Sequence, residues 1–128
     1  VIVLDASVLI AYLDAEDVQH EAANSLLARE IDDVFAANPL TLAEVLVAPA
    51  RSGRLDAALS ALRDLEVDER PFPPDTSVRL AQLRAGTGLR MPDCCVLLAA
   101  QDAAARVAAF DSRLAREAEA LGLVTLRS

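Results

Sequence analysis

Short apolar runs alternate along the chain with longer segments of mixed character. The first run, Val1–Leu4, shows no polar alternation, the pattern of a strand buried on both faces. Similar runs recur at Val34–Ala37, at Val107–Phe110 and at Leu123–Leu126 after Gly122. Leu65–Val67 is a weaker strand candidate because Glu66 interrupts it. Helices are predicted over Ser7–Leu13 and over Asp17–Arg29, with Asp17 placed to cap the second. Asn38-Pro39-Leu40 breaks the following strand, and Thr41–Ser52 reads as a helix that Pro49 should kink or shorten. Gly53 ends that helix, and Leu55–Asp64 reads as its antiparallel neighbour. Pro71, Pro73 and Pro74 enforce a loop before a helix over Thr76–Ala85, and GTGLRMP reads as a flexible connection. Helices over Asp93–Ala103 and Ser112–Leu121 complete the pattern. Short strands separated by helices indicate βα units around a parallel sheet, an α/β fold. No repeat, low-complexity tract or linker divides the chain, so residues 1–128 read as one domain.

Composition narrows the chemistry. Apolar residues make up 54% and aromatic residues only 3%, so the core must be aliphatic. No apolar run approaches the length of a membrane span, and no secretory signal is visible. Cys94 and Cys95 are adjacent and build no disulfide framework, which fits a reducing, cytoplasmic setting. A formal charge of -8 argues against broad, unspecific nucleic-acid binding but not against a local grip on RNA. Every basic side chain that is not His is Arg. That removes the lysine on which a phosphoacceptor receiver domain depends.

Most of the twenty acidic residues lie among polar neighbours and read as solvated. Four differ: Asp5 ends the first strand, Glu44 lies in the apolar segment LTLAEVLV, Asp93 heads the most apolar helix and Asp111 ends VAAF. In parallel α/β proteins, ligands gather at the carboxyl ends of strands. Each acid also has a local reading. Asp5 and Asp111 suit helix caps, Thr41-Leu-Ala-Glu44 fits a capping box, and Asp93 favours a helix N-terminus through its dipole. Together, four carboxylates on one edge would raise one another's pKa values unless cations neutralised them. Hard oxygen donors without a His/Cys cluster suit Mg²⁺ or Mn²⁺ rather than structural zinc.

The stretches VIVLDASVLIAYL, PLTLAEVL, LRMPDCCVLLAAQ and VAAFDSRLAREAEALGLVTL resemble, in this order and spacing, the PIN domains of VapC-type toxin ribonucleases. The resemblance implies a three-layer α/β/α fold around a central parallel sheet. It implies an acidic cluster of Asp5, Glu44, Asp93 and Asp111 that binds Mg²⁺ or Mn²⁺ and hydrolyses RNA with metal-activated water, leaving a 5′-phosphate and a 3′-hydroxyl. Ser7 matches a position that supports the site by hydrogen bonding. The chain departs from the T-x-D pattern before the last acid, having Ala109 and Phe110 before Asp111. Arg90 and Arg113, close in sequence to Asp93 and Asp111, are candidates to contact RNA phosphates. The resemblance further implies a VapB-type antitoxin, a homodimer, and DNA contact only through the antitoxin complex. The apolar helices VLIAYL and AANSLLA are candidates for the antitoxin groove, although core packing accounts for the same pattern.

Other conspicuous residues read as structural. His20, in DVQHEAAN, reads as solvated helix surface, and the two cysteines as small core residues. Asp102 falls on the helix face opposite Asp93, and GTG lacks the lysine of a phosphate-binding loop. A dehalogenase-like phosphatase would need D-x-D where the chain has Ser7. The remaining alternative is a non-catalytic PIN-like interaction protein whose carboxylates act as caps or a weak ion site.

Overall fold

The computed structural model describes residues 1–127; Ser128, the last position of the predicted domain, lies outside the described residues. The strands are β1 (Ile2–Leu4), β2 (Phe35–Ala37), β3 (Asp68–Glu69), β4 (Arg106–Ala108) and β5 (Thr125–Leu126). The helices are α1 (Ala6–Leu13), α2 (His20–Arg29), α3 (Pro39–Arg51), α4 (Leu55–Asp64), α5 (Thr76–Thr87), α6 (Met91–Ala103) and α7 (Ser112–Ala120). All strand pairs are parallel, in the order β3-β2-β1-β4-β5. Successive connections thus leave β1 towards one edge and later return to its other side. That creates a switch point between β1 and β4.

The period-two alternation of each strand divides the core. Ile2, Leu4, Phe35, Ala37 and Ala108 pack with α1 to α4 on one face. Val3, Ala36, Val107 and Ala109 pack with α5, α6 and α7 on the other. The result is a three-layer α/β/α sandwich whose interior is aliphatic apart from the buried ring of Phe35. No described helix is long and apolar enough to cross a membrane.

Four local expectations are corrected. The second helix begins at His20, not Asp17, because Asp17 Oδ1 accepts the Gln19 N–H at 2.8 Å and closes a turn instead. The third helix begins at Pro39, with Asn38 as its cap, so Pro39 opens the helix and does not precede it. The third strand is Asp68–Glu69, not Leu65–Val67. Leu65 caps α4, Glu66 turns left-handed at φ 54°, and the Val67 N–H reaches back to Leu62 O at 3.1 Å. Finally, Gly86 and Thr87 belong to α5 and Met91 and Pro92 to α6, which shortens the α5–α6 connection to Gly88–Arg90.

Candidate active site

Asp5 follows β1 and Asp111 closes the loop after β4, two adjacent strands registered with Leu4 opposite Ala108. The two carboxylates therefore flank the switch point. Asp5 is buried, with 7% exposure, whereas Asp111 is exposed. Asp5 caps α1: its Oδ2 accepts the Ser7 hydroxyl at 2.6 Å and the Ser7 N–H at 3.3 Å. The same Ser7 Oγ accepts the Phe110 N–H at 3.2 Å, so Ser7 ties Asp5 to the loop that carries Asp111. Asp111 caps α7 through Oδ1, which accepts the N–H groups of Arg113 at 2.9 Å and Leu114 at 3.1 Å. In both caps one carboxylate oxygen takes these hydrogen bonds and the other takes none of them. Capping and ligand binding are compatible roles for these two side chains, not rivals.

Asp93 stands in the first turn of α6, which begins with Met91 and Pro92 after the cap residue Arg90. Burial lifts its carboxyl above the usual aspartate range, and the charges of Asp5, Asp111 and Glu44 add to the rise; the Arg90 guanidinium opposes it. Burial likewise lifts Asp5, with the Ser7 hydrogen bonds opposing and Asp111 adding a smaller repulsion. Asp93 therefore feels the other three acids selected from the sequence, and Asp5 feels Asp111.

Glu44 reaches this group from α3, against which α6 packs. The capping box proposed for it does not form. Asn38 is the cap, its Oδ1 accepting the Thr41 N–H at 2.9 Å and its Nδ2 donating to Thr41 Oγ1 at 3.0 Å. Glu44 lies beyond the first turn, exposed, with no capping duty. Asn38 and Thr41, both 1% exposed, are the support that sequence reading missed. The signal was present in Asn-Pro, since Asn favours the cap and Pro the first helical position.

The PIN domain family matches residues 2–120. The chain belongs to the PIN-domain family. Among curated protein sequences, none matches. The fold of this PIN domain is similar to that of a Mycobacterium tuberculosis VapC toxin described as cleaving the sarcin–ricin loop, at 21% identity and TM-score 0.74, with 100% of each chain covered. It is similar to a Klebsiella pneumoniae toxin–antitoxin complex, at 21% identity and TM-score 0.71 over 88% of each chain. It is also similar to Rickettsia felis VapBC2 bound to promoter DNA, at 13% identity and TM-score 0.75, covering 98% of this chain and 96% of the other.

Whether this PIN domain fits a divalent cation rests on its donors. Among the described residues, none of the four carboxylates forms an ion pair with a basic side chain. Unbalanced, partly buried anionic oxygen suits a hard cation. The carboxylates are nevertheless not drawn together: among the described residues, no three His, Cys, Asp or Glu side chains are gathered closely enough to hold an ion. The donor chemistry fits, while the spacing is that of an open, mutually repelling set.

Of the two arginines, Arg90 is exposed beside Asp93, and Arg113 donates through Nη2 to Gly88 O at 3.2 Å. His20 corrects the expectation of a solvated surface residue. It is half-buried, with Nδ1 2.7 Å from Ala11 O and Nε2 3.1 Å from Asn24 Nδ2, joining α1 to α2. Cys94 and Cys95 are buried and free, and Asp102 pairs with Arg79 at 3.5 Å. On the helix AANSLLA, Ala23, Leu26 and Leu27 belong to the core. What remains open between α1, α2 and α4 is a cleft of about 340 Å³, lined by Tyr12, Leu13, His20, Asn24, Ala58 and Ala61 among others.

Proposed function

We propose that this PIN domain is a Mg²⁺- or Mn²⁺-dependent endoribonuclease, the VapC-like toxin of a toxin–antitoxin pair. The observation that carries the reading is the set of four carboxylates about the switch point: burial and the other three acids raise Asp93 against the Arg90 guanidinium, and among the described residues none of the four is ion-paired with a basic side chain. Asp5, Glu44 and Asp93 would hold the ion, with Asp111 joining directly or through water. A bound divalent ion supplies a water of lowered pKa and neutralises charge on the phosphate.

The chain's own residues do the rest. Ser7 fixes the orientation of Asp5 through the 2.6 Å hydrogen bond. A carboxylate of the group orients the attacking water or takes its proton, without a covalent intermediate. Arg90, exposed at the start of α6, supplies a guanidinium to an RNA phosphate, a contact that compensates locally for the acidic surface. The substrate class is structured RNA, in keeping with the sarcin–ricin loop cleaved by the Mycobacterium tuberculosis toxin of similar fold.

The proposed partner is a VapB-like antitoxin encoded with the toxin, seated at the α1–α2–α4 cleft. Similarity to the Klebsiella pneumoniae and Rickettsia felis complexes supports such a partner, and the open cleft is the reason for seating it there. DNA would be met only through that partner, and the active unit would be a cytoplasmic homodimer. A non-catalytic interaction role is the second reading, favoured by carboxylates that are not gathered for metal binding.

The deciding experiment incubates purified protein with transfer and ribosomal RNA in Mg²⁺ and sequences the new 5′ ends. Site-specific cuts, abolished by EDTA, Asp5→Asn and Glu44→Gln while circular dichroism stays unchanged, support the enzyme. No divalent-ion binding and no cleavage by the folded wild type leaves the interaction role.

A further inference from the structure

The turn between α5 and α6 is held from two elements. Gly88 ends α5 in the left-handed region at φ 71°, and its N–H returns to Arg84 O at 2.9 Å. Its carbonyl accepts from Arg84 Nη1 and from Arg113 Nη2, both at 3.2 Å. Arg84 Nη1 also donates to the Leu89 carbonyl. Leu89 itself is buried, and its N–H is taken by Thr87 Oγ1 at 3.1 Å. Five residues after Gly88 comes Asp93, with no loop between the turn and its helix.

Arg113 connects this turn to the other side of the site. Its backbone N–H donates to Asp111 Oδ1 at 2.9 Å, while its guanidinium donates to Gly88 O. One residue thus bonds the Asp111 carboxylate through its main chain and the turn that precedes Asp93 through its side chain. The bridge joins the two segments that carry Asp93 and Asp111, and the Asp111 charge acts against ionisation of Asp93. Carboxylates that repel need such a brace if their spacing is to be kept.

We infer that Arg113 is a positioning residue that sets the spacing of Asp93 and Asp111 by clamping the Gly88 turn together with Arg84, and that it is not an RNA-phosphate contact. The inference rests on the ribonuclease reading for its catalytic consequence, but the brace itself is a property of the metal-free chain.

The test compares wild type with Arg113→Gln and Arg113→Lys in three measurements. Amide exchange of the metal-free proteins over residues 88–94 should speed up in Arg113→Gln and be partly restored in Arg113→Lys. Mn²⁺ affinity, measured by titration without RNA, should fall about tenfold or more in Arg113→Gln, the effect of removing an outer-shell support. Cleavage should lose kcat with KM and its salt dependence unchanged. A phosphate contact predicts the reverse: raised KM, a salt slope reduced by about one, and unchanged Mn²⁺ affinity and exchange. That pattern overturns the inference. If the wild type binds no Mn²⁺ and cuts nothing, the ribonuclease reading fails on its own, and exchange alone decides the brace: faster supports it, unchanged overturns it.

Discussion

Ser7 and Asp5 share the tightest polar contact of the candidate site, the serine hydroxyl lying 2.6 Å from Oδ2 of the buried carboxylate. Because Ser7 Oγ also accepts the Phe110 N–H, a single hydroxyl links the ends of β1 and β4. The Asp5 N–H donates to Ala108 O at 2.9 Å beside it, so the two strand ends are joined through both main chain and side chain.

Ser7→Ala should therefore weaken both stability and the site. Loss of the hydroxyl removes a donor to a carboxylate and the acceptor of a backbone N–H, which costs about 1–3 kcal/mol. Urea unfolding of the metal-free protein measures that loss. Mn²⁺ affinity should drop roughly 10–100-fold, as expected for a support that orients a ligand. An unchanged affinity would separate Ser7 from the site.

The raised pKa of Asp93 makes the metal-free protein sensitive to pH in a definite direction. Burial and the charges of Asp5 and Asp111 make the folded state hold the Asp93 proton more tightly than the unfolded chain, whose carboxyl titrates near 3.8. The corresponding stability is present below pH 3.8 and is lost as pH rises through the folded value. In EDTA at neutral pH, Asp93→Asn should consequently melt higher than wild type, and the difference should shrink on acidification. Saturating Mg²⁺ should reverse the order, since binding at a hundredfold excess over Kd stabilises only the wild type, by about 2.7 kcal/mol. Thermal melts of both proteins across pH, with and without Mg²⁺, check it.

The layered fold was legible because its signals are cooperative along the sequence. Val1–Leu4 needs both faces covered, and α1 to α4 on one side with α5 to α7 on the other cover it. Boundaries were less legible, because one side-chain hydrogen bond decides each. Asp17 could cap a helix or close a turn, and the Gln19 N–H settles it for the turn. Leu65–Val67 has two apolar residues of a strand, but Leu65 caps α4 and packs with Val67 on the core, Glu66 between them is exposed, and the charged pair Asp68–Glu69 forms the edge. The four acids were selected by their apolar sequence settings; on folding Asp5 is buried and Asp93 half-buried, while Glu44 and Asp111 are exposed, because helix and loop geometry rather than neighbouring residues decides exposure. The role of Arg113 was not legible, since nothing local brings it to Gly88, 25 residues away.

Asn38 supports α3 from a buried position, and its removal should be felt at Glu44. Asn38→Ala abolishes the hydrogen bond to the Thr41 N–H and leaves Thr41 Oγ1 without its Nδ2 donor. Loss of a helix cap costs about 0.5–2 kcal/mol. Asn38→Asp keeps the acceptor for the N–H and should recover most of the cap, but not the Nδ2 donor. Denaturant unfolding ranks wild type first, then Asn38→Asp, then Asn38→Ala. Equal stability of the two variants would mean that the amide donor, not the cap, carries the effect.

Capping and charge can be separated at Asp111. Asn is as good a helix cap as Asp, and Asp111→Asn can still accept from the N–H groups of Arg113 and Leu114. Its stability should stay within about 0.5 kcal/mol of wild type, the range of an ordinary surface change. Removing its charge also takes one repulsion from Asp93 and Asp5. If Asp111 serves only α7, Mn²⁺ affinity and RNA cleavage remain near wild type in Asp111→Asn, while Asp111→Ala loses stability. If its second oxygen serves the ion or an ion-bound water, Asp111→Asn folds normally yet binds Mn²⁺ more weakly. Such a loss without unfolding cannot be assigned to the cap, because the cap is still present.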